Sequence, residues 1–314
     1  MKFNKVVVVG ELTLNKEYQK ELDKNITKKI TIADLASGNK ELADADALFV
    51  GFGVKIGKNI IDSAPRLKYI GVYATAFGSI DINYAKSKNI AVCNVGGYST
   101  EAVSEFVFAT LLESMRNIGR ARKRISENDI NFIPEELAKN RELKDKVFGV
   151  LGTGKIGSRV AQIALGFGCN VLYWSRNRKK ELESKGIKYE DADSIISKAD
   201  ILTLHFSVND DTKNFLNSTR IKNIKNGAIL ISTVGWDDLI DINALEERLK
   251  KNDITFIIEA NEDSGAHVKR FSKYSNCIMY PPVTLTAESL VLRQQIFVDN
   301  VANFLKDKPT NKVN

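Results

Sequence analysis

The stretch GVLGTGKIGSRVAQIALGFGCNVLYWSR, residues 149–176, constrains what this chain can fold into more than any other. An apolar run leads into a turn with glycines at 152, 154 and 157, then an amphipathic run, then a second apolar run. That pattern reads as strand, tight turn, helix and strand, with the helix carrying the chain back so that the two strands lie parallel. In such a turn Gly152 permits the tight bend, Gly154 lets a ligand approach the backbone, and Gly157 lets the helix pack close on the strand. The helix start presents unpaired N–H groups and partial positive charge, which suits a phosphate.

The same alternation runs along the chain. KVVVVG opens it, and ADALFVGF (45–52), LKYIGVYA (67–74) and IAVCNV (90–95) follow as strands, with helical patterns such as GKNIIDSA and INYAKSKN between them. From Ser99 the texture changes: STEAVSEFVFATLLESMRNIGRARKR reads as one long helix, with Ser99 and Thr100 as caps and Glu101 in its first turn. Strands resume at KVFGVLG (146–152), CNVLYWS, ADILTLHF, GAILIST, ITFIIEA and NCIMYPP (276–282), and TAESLVLRQQIFVDNVANFLKD (286–307) closes the chain as a helix. Alternation of this kind predicts an α/β protein of two doubly wound parallel-sheet domains, and the closing helix is expected to return to the first.

Bulk properties fit. The 314 residues suit about two domains. No apolar run approaches the roughly 18 residues of a membrane span, and the N-terminal run is too short and β-branched for a signal peptide. A cytoplasmic protein is expected. Cys93, Cys169 and Cys277 are scattered in apolar segments with no metal-ligand spacing, so reduced buried thiols and no metal are expected. The net charge of +7 comes from lysines spread along the chain, without the basic stripe and interleaved aromatics of a nucleic-acid binder. The densest basic run, RNIGRARKR (116–124), is expected to close a helix, where cations suit the dipole.

The strand after the glycine turn should end in an acid if the ligand is NAD, because a carboxylate takes the ribose hydroxyls and repels a 2′-phosphate. It ends VLYWSRNRKK, with Ser175 and then Arg176 at that place. A hydroxyl and a guanidinium accept a phosphate, so NADP is preferred and NAD possible.

Taken whole, the chain resembles the D-isomer-specific 2-hydroxyacid dehydrogenases, the family of glycerate, glyoxylate, hydroxypyruvate and phosphoglycerate dehydrogenases. NVGGYSTEAVSEFVFATLL (94–112), ELKDKVFGVLGTGKIG (142–157), ILTLHFSVNDDTKNFLN (201–217) and NGAILISTVGWDDLIDINALEERL (226–249) carry the likeness. The resemblance implies a Rossmann cofactor domain at 99–284, inserted in a flavodoxin-like substrate domain at 1–98 plus 285–314. It also implies a homodimer through the cofactor domain, with the segment from Ser99 to Arg141 as the contact. Cofactor contacts are carried over to Gly152, Thr153, Gly154, Lys155, Ile156, Gly157, Ser175, Arg176, His205, Phe206, Ser207, Thr212, Thr233, Val234, Gly235 and Glu259.

The family's chemistry uses an arginine for the substrate carboxylate, a histidine as acid and base, and a glutamate beside that histidine. Their places hold Gly235 (with Val234 adjoining), Pro282 and Ser264, and proline carries no proton. Trp236, Asp237 and Asp238 stand near the arginine's place, Glu262 and Asp263 near the glutamate's. His267, in a loop and expected at the surface, and Tyr280, whose ordinary pKa near 10 is far from that of a base, are the remaining candidates for proton transfer. In the outer domain YATAFGSID (73–81) resembles the family's substrate loop, with Ala76 for a usual glycine. Two functions follow: an NAD(P)-dependent oxidoreductase moving hydride between nicotinamide and a small 2-hydroxy or 2-keto acid or an altered substrate, or a catalytically silent NADP-binding protein serving as sensor or partner subunit.

Overall fold

The computed structural model describes residues 1–35, 40–131, 140–206, 212–236, 239–260 and 264–314. They divide into two compact units, Met1–Ser99 with Thr286–Asn314, and Thr100–Leu285.

The first unit carries strands β1 (Phe3–Val9), β2 (Ile26–Ile32), β3 (Ala47–Val50), β4 (Tyr69–Val72) and β5 (Ala91–Asn94) in one parallel sheet of order β2-β1-β3-β4-β5. This is the flavodoxin-like order. Every residue of β3, β4 and β5 is buried, as expected of strands covered on both faces. The edge strand β2, ITKKITI, was not among the expected strands, because its lysines face water and break the apolar run. The closing helix, Ala287–Phe304, belongs to this unit, and Thr286 and Ser289 cap it by reciprocal hydrogen bonds. Its Phe297 meets Phe49 and Tyr73 edge-on at 5.1 and 5.3 Å. Burying that ring stabilises the unit by roughly 1.5–3 kcal/mol.

The second unit carries β6 (Val147–Leu151), β7 (Asn170–Trp174), β8 (Lys188–Tyr189), β9 (Ile201–Leu204), β10 (Ala228–Ser232), β11 (Ile254–Glu259) and β12 (Cys277–Tyr280). They pair in parallel in the order β8-β7-β6-β9-β10-β11-β12. The order reverses between β6 and β9, and the carboxyl ends of strands at such a reversal form the usual ligand crevice. The buried Arg248 holds one corner of this unit. Its guanidinium donates to the carbonyls of Ile221, Lys222 and Ile224, at 2.7 to 2.9 Å, and pairs with Asp253 at 2.9 Å. It thereby gives donors to the Lys222 and Ile224 carbonyls, and a second donor to that of Ile221, where helix Ser218–Asn223 ends.

The single long helix expected from Ser99 is two helices, Thr100–Arg116 and Ile118–Ser126. Asn117 between them takes the left-handed conformation, φ 50° and ψ 41°, which asparagine tolerates and which ends a helix. The Thr100 hydroxyl is buried without a hydrogen-bond partner, so it does not cap. Lys123 and Arg124 of the basic run lie in the last turn of the second helix. All three cysteines are free and buried, and burial pushes the thiols of Cys93 and Cys169 to about 11 and that of Cys277 to about 12. Among the described residues no group of His, Cys, Asp and Glu is placed to hold a metal, and no helix is long and apolar enough to cross a membrane. Ser207, Asp237, Asp238, Glu262, Asp263 and residues 132–139 lie outside the described residues.

Candidate nucleotide site

The glycine turn sits at the carboxyl end of β6. Gly152 takes φ +93°, and its N–H donates to Trp174 O at 2.8 Å, joining the turn to the end of β7. Helix Lys155–Gly166 starts from Gly154. A Cβ on Gly157 would lie 1.9 Å from Gly152 O, so only glycine lets the helix approach this closely. A Cβ on Gly154 would meet no protein atom within 4 Å. One glycine is therefore required by the protein's own packing, and the other faces open space.

Two orphaned polar atoms adjoin this turn. Thr153 is 3% exposed and its hydroxyl has no hydrogen-bond partner. His205, just past β9, is fixed more tightly. Its Nδ1 lies 2.9 Å from Thr233 Oγ1, and the single hydroxyl proton of Thr233 is donated to Leu204 O at 3.0 Å. Nδ1 must therefore be the donor of the pair, leaving Nε2 as a bare acceptor. That Nε2 is buried and unpartnered, and burial drags the imidazole down to about 3, so His205 stays neutral at physiological pH. A glycine cradle open to solvent, a helix N-terminus and the orphaned Thr153 hydroxyl are together what a dinucleotide's pyrophosphate needs, and the bare His205 acceptor suits a hydroxyl or amide N–H of the same ligand. The residues present fit the group.

Beyond β7 the turn is pinned on itself. Ser175 Oγ donates to Asn177 O at 2.7 Å, Arg178 pairs with Glu183 at 2.7 Å, and Arg176 is exposed. Phe206 packs against Trp174 and Phe215 in the core. Thr212 is buried, Lys155 is exposed, and Ile156 and Val234 are half-buried. Gly235 is exposed, and a Cβ there would meet nothing within 4 Å.

The candidates for proton transfer come out differently from the sequence expectation. His267 lies on helix Gly265–Phe271 rather than in a surface loop, half-buried and stacked on Trp236 with ring centroids 5.2 Å apart. Trp236 does not line a site: it is 2% exposed and packs on Phe256 and Phe271. Tyr280 packs edge-on against Phe106 and donates to Glu113 Oε2 at 3.3 Å. Burial, with help from Glu113, pushes its hydroxyl to about 12. Ser264 is buried and Pro282 exposed. Glu259, at the end of β11, accepts from the backbone N–H groups of Val283 and Thr284 at 2.6 and 2.7 Å, and so ties down the loop that follows β12. Sequence reasoning missed that tether, which no spacing announces.

Residues 108–281 match the D-isomer specific 2-hydroxyacid dehydrogenase NAD binding domain, more than half of the chain. The chain belongs to this family. Similarity extends beyond the matched domain: a glyoxylate reductase of Aeropyrum pernix is 30% identical over 281 residues, covering 86% of this chain and 83% of the relative. Among solved structures, an acyclic imino acid reductase in complex with NADPH and D-Arg is 27% identical with a TM-score of 0.83, over 99% of this chain and 100% of the other. The D-lactate dehydrogenase of Aquifex aeolicus, complexed with NAD and lactic acid, is 28% identical with a TM-score of 0.81, over 96% of each chain. As a member of the D-2-hydroxyacid dehydrogenase family, the protein is an NAD(P)-binding oxidoreductase.

Proposed function

We propose that this dehydrogenase-family member is an NADP-preferring reductase of a small 2-oxo acid or its imine, and that the imine is the better acceptor. The observation that carries the reading is the state of the protonic groups. Burial holds His205 near 3 and the Tyr280 hydroxyl near 12, so neither exchanges a proton near neutral pH, and the His267 ring is stacked on the buried Trp236. Pro282, where the resemblance places the family's acid, has no proton to give.

NADPH supplies the hydride when bound. The backbone of the 152–157 turn and the start of helix Lys155–Gly166 would hold its phosphates, Ser175 and Arg176 the 2′-phosphate, and His205 Nε2 would accept a hydrogen bond from one of its hydroxyl or amide groups. Reducing a carbonyl leaves an oxygen that must take a proton from the protein or from water, and a positioned acid contributes about 10²–10⁴ in rate to that step. A protonated C=N group already carries its proton, and its reduction asks none of this chain. The likeness to a glyoxylate reductase supports a small 2-oxo acid skeleton, and the likeness to an imino acid reductase solved with NADPH supports the nitrogen acceptor and the phosphorylated cofactor.

The test is NADPH oxidation with glyoxylate, hydroxypyruvate or pyruvate, alone and with methylamine, across the neutral and mildly alkaline range. We expect the amine to raise turnover at least about tenfold, and the carbonyl rates to lie at least about a hundredfold below those of family enzymes. Vigorous carbonyl turnover with a bell-shaped pH profile would sink the imine reading and point to a hidden base. Tight NADPH binding with no turnover on any acceptor would mark a silent nucleotide-binding protein. We further infer a cytoplasmic homodimer joined through the second unit. Ile118, Ile125 and Ile130, exposed at 53, 63 and 82%, support that reading, and light scattering at micromolar concentration tests it.

A further inference from the structure

The hydrogen-bonding sense of the imidazole beside the glycine turn is decided by one hydroxyl. Leu204 and Ser232 are partners across β9 and β10, so the next residues, His205 and Thr233, leave the sheet side by side. His205 adjoins the turn closely: a Cβ added to Gly157 would lie 3.3 Å from His205 Cβ, and one added to Gly152 would lie 2.9 Å from His205 O.

Thr233 Oγ1 lies 3.0 Å from Leu204 O and 2.9 Å from His205 Nδ1. Two oxygens at that separation need a proton between them, and of the two only the threonine has one to place there. Thr233 then has only lone pairs to turn towards the ring. Nδ1 therefore keeps the imidazole proton, and Nε2 is left bare. In the opposite tautomer, lone pairs of Nδ1 and Oγ1 would face each other unless the hydroxyl gave up Leu204. Among the described residues nothing donates to Nε2, which is buried. A buried acceptor without a donor costs stability, and a ligand that brings the donor recovers it. Burial keeps the ring neutral, so protonation does not supply the missing bond.

We propose that Thr233 is a positioning residue for the cofactor: by holding His205 in the tautomer with Nδ1 protonated, it obliges a bound dinucleotide to present a hydrogen-bond donor to Nε2. That donor is a hydroxyl or an amide N–H, since the oxygens of a pyrophosphate or a carbonyl bring no proton. The proposal rests on the reductase reading above, which puts a dinucleotide at the turn.

The chain has two histidines, so the ring ¹⁵N resonances of the full-length protein are assigned by comparison with His205→Asn. The parent should show Nδ1 of His205 protonated and Nε2 bare, and saturating NADP⁺ should move the Nε2 resonance while Nδ1 stays. Thr233→Val removes the hydroxyl at nearly constant shape. It should release the ring to the Nε2-protonated tautomer and weaken NADP⁺, measured by calorimetry, at least about tenfold. Thr233→Ser keeps the hydroxyl and loses the methyl group, so it should retain the parent's tautomer and affinity, whereas a packing role would make serine the worse of the two. The 3-acetylpyridine analogue of NADP⁺ has a methyl group in place of the carboxamide N–H groups. If the analogue leaves Nε2 unmoved, the carboxamide is the donor; if it moves Nε2 as NADP⁺ does, a ribose hydroxyl is. A parent ring with Nε2 protonated overturns the proposal. So does an Nε2 resonance that bound NADP⁺ leaves unmoved, or a folded Thr233→Val protein that binds NADP⁺ within about twofold of the parent. Should Thr233→Val fail to fold, the two readings on the parent decide the matter. A parent that binds no NADP⁺ would bring down the reductase reading and this proposal with it.

Discussion

Two glycines two turns of logic apart should respond oppositely to substitution. At Gly154 the backbone is extended, φ −71° and ψ −162°, a conformation any residue adopts, and an added Cβ touches nothing within 4 Å. Gly154→Val should therefore fold, at a cost of about 0.5–1 kcal/mol for a poorer helix start and a melting temperature within roughly 4 °C of the parent. Its side chain, however, fills the space where a pyrophosphate meets the backbone, and NADPH affinity should fall more than about a hundredfold, or 2.7 kcal/mol. At Gly157 the added Cβ would lie 1.9 Å from Gly152 O, about 1 Å inside the 3.0 Å that real Cβ atoms keep. Neither partner is a flexible side chain, so helix and turn must separate. Overpacking of this kind costs about 1–3 kcal/mol, and Gly157→Ala should melt roughly 3–10 °C lower. Fluorescence titration with NADPH and thermal melting by circular dichroism separate the two effects. A folded Gly154→Val protein that keeps its affinity would refute the assignment of the turn, and an undisturbed melt for Gly157→Ala would refute the packing argument.

Three further outcomes follow from named contacts. Arg176→Ala should weaken NADPH by roughly 1.5–3 kcal/mol and leave NADH nearly unchanged, and equal losses in a titration of both cofactors would remove Arg176 from the 2′-phosphate. His205 is held near 3, below its ordinary 6.5, so the unfolded chain binds a proton that the folded one refuses. Stability should drain away as pH falls from 6.5 towards 3, with this residue contributing up to about 1.4 kcal/mol per pH unit. Urea midpoints at pH 7 and pH 5 should converge in His205→Asn, and an unchanged slope would mean that the imidazole titrates normally. Arg248→Met leaves buried carbonyls without donors and should cost about 3–5 kcal/mol in urea unfolding, with no change in NADPH affinity until the protein melts.

Elements that bury both faces were legible in the sequence. VVVV in β1 and AILI in β10 announce themselves because nothing but a covered strand makes so continuous an apolar run. The glycine turn was legible because three requirements of backbone geometry fall on three residues at fixed spacing. Edge elements were not. β2 carries lysines on its open side, and β8 has only two residues. The break at Asn117 also escaped, since an apolar pattern continues across it and only the backbone angle decides. In the candidate site, periodicity could place His205 at a strand end, but not the chain of hydrogen bonds through Thr233 that sets its tautomer. The burial of Trp236 was not legible either, because sequence distance from a motif says nothing about which way an indole turns.

The closing helix imposes an order of birth on the two units. The second unit is one uninterrupted segment, Thr100–Leu285, and has everything it needs once that segment has left the ribosome. The first unit does not. Phe297, Val298 and Val301 belong to the apolar cluster that covers β1, β3 and β4, and they are made last. At about 5–20 residues per second, the nascent first sheet waits roughly 10–40 s with that face bare while the insert is synthesised. A cell short of chaperones should therefore lose this protein as aggregated early chains rather than as full-length material, and a circular permutant that moves the closing helix ahead of β1 should escape the delay.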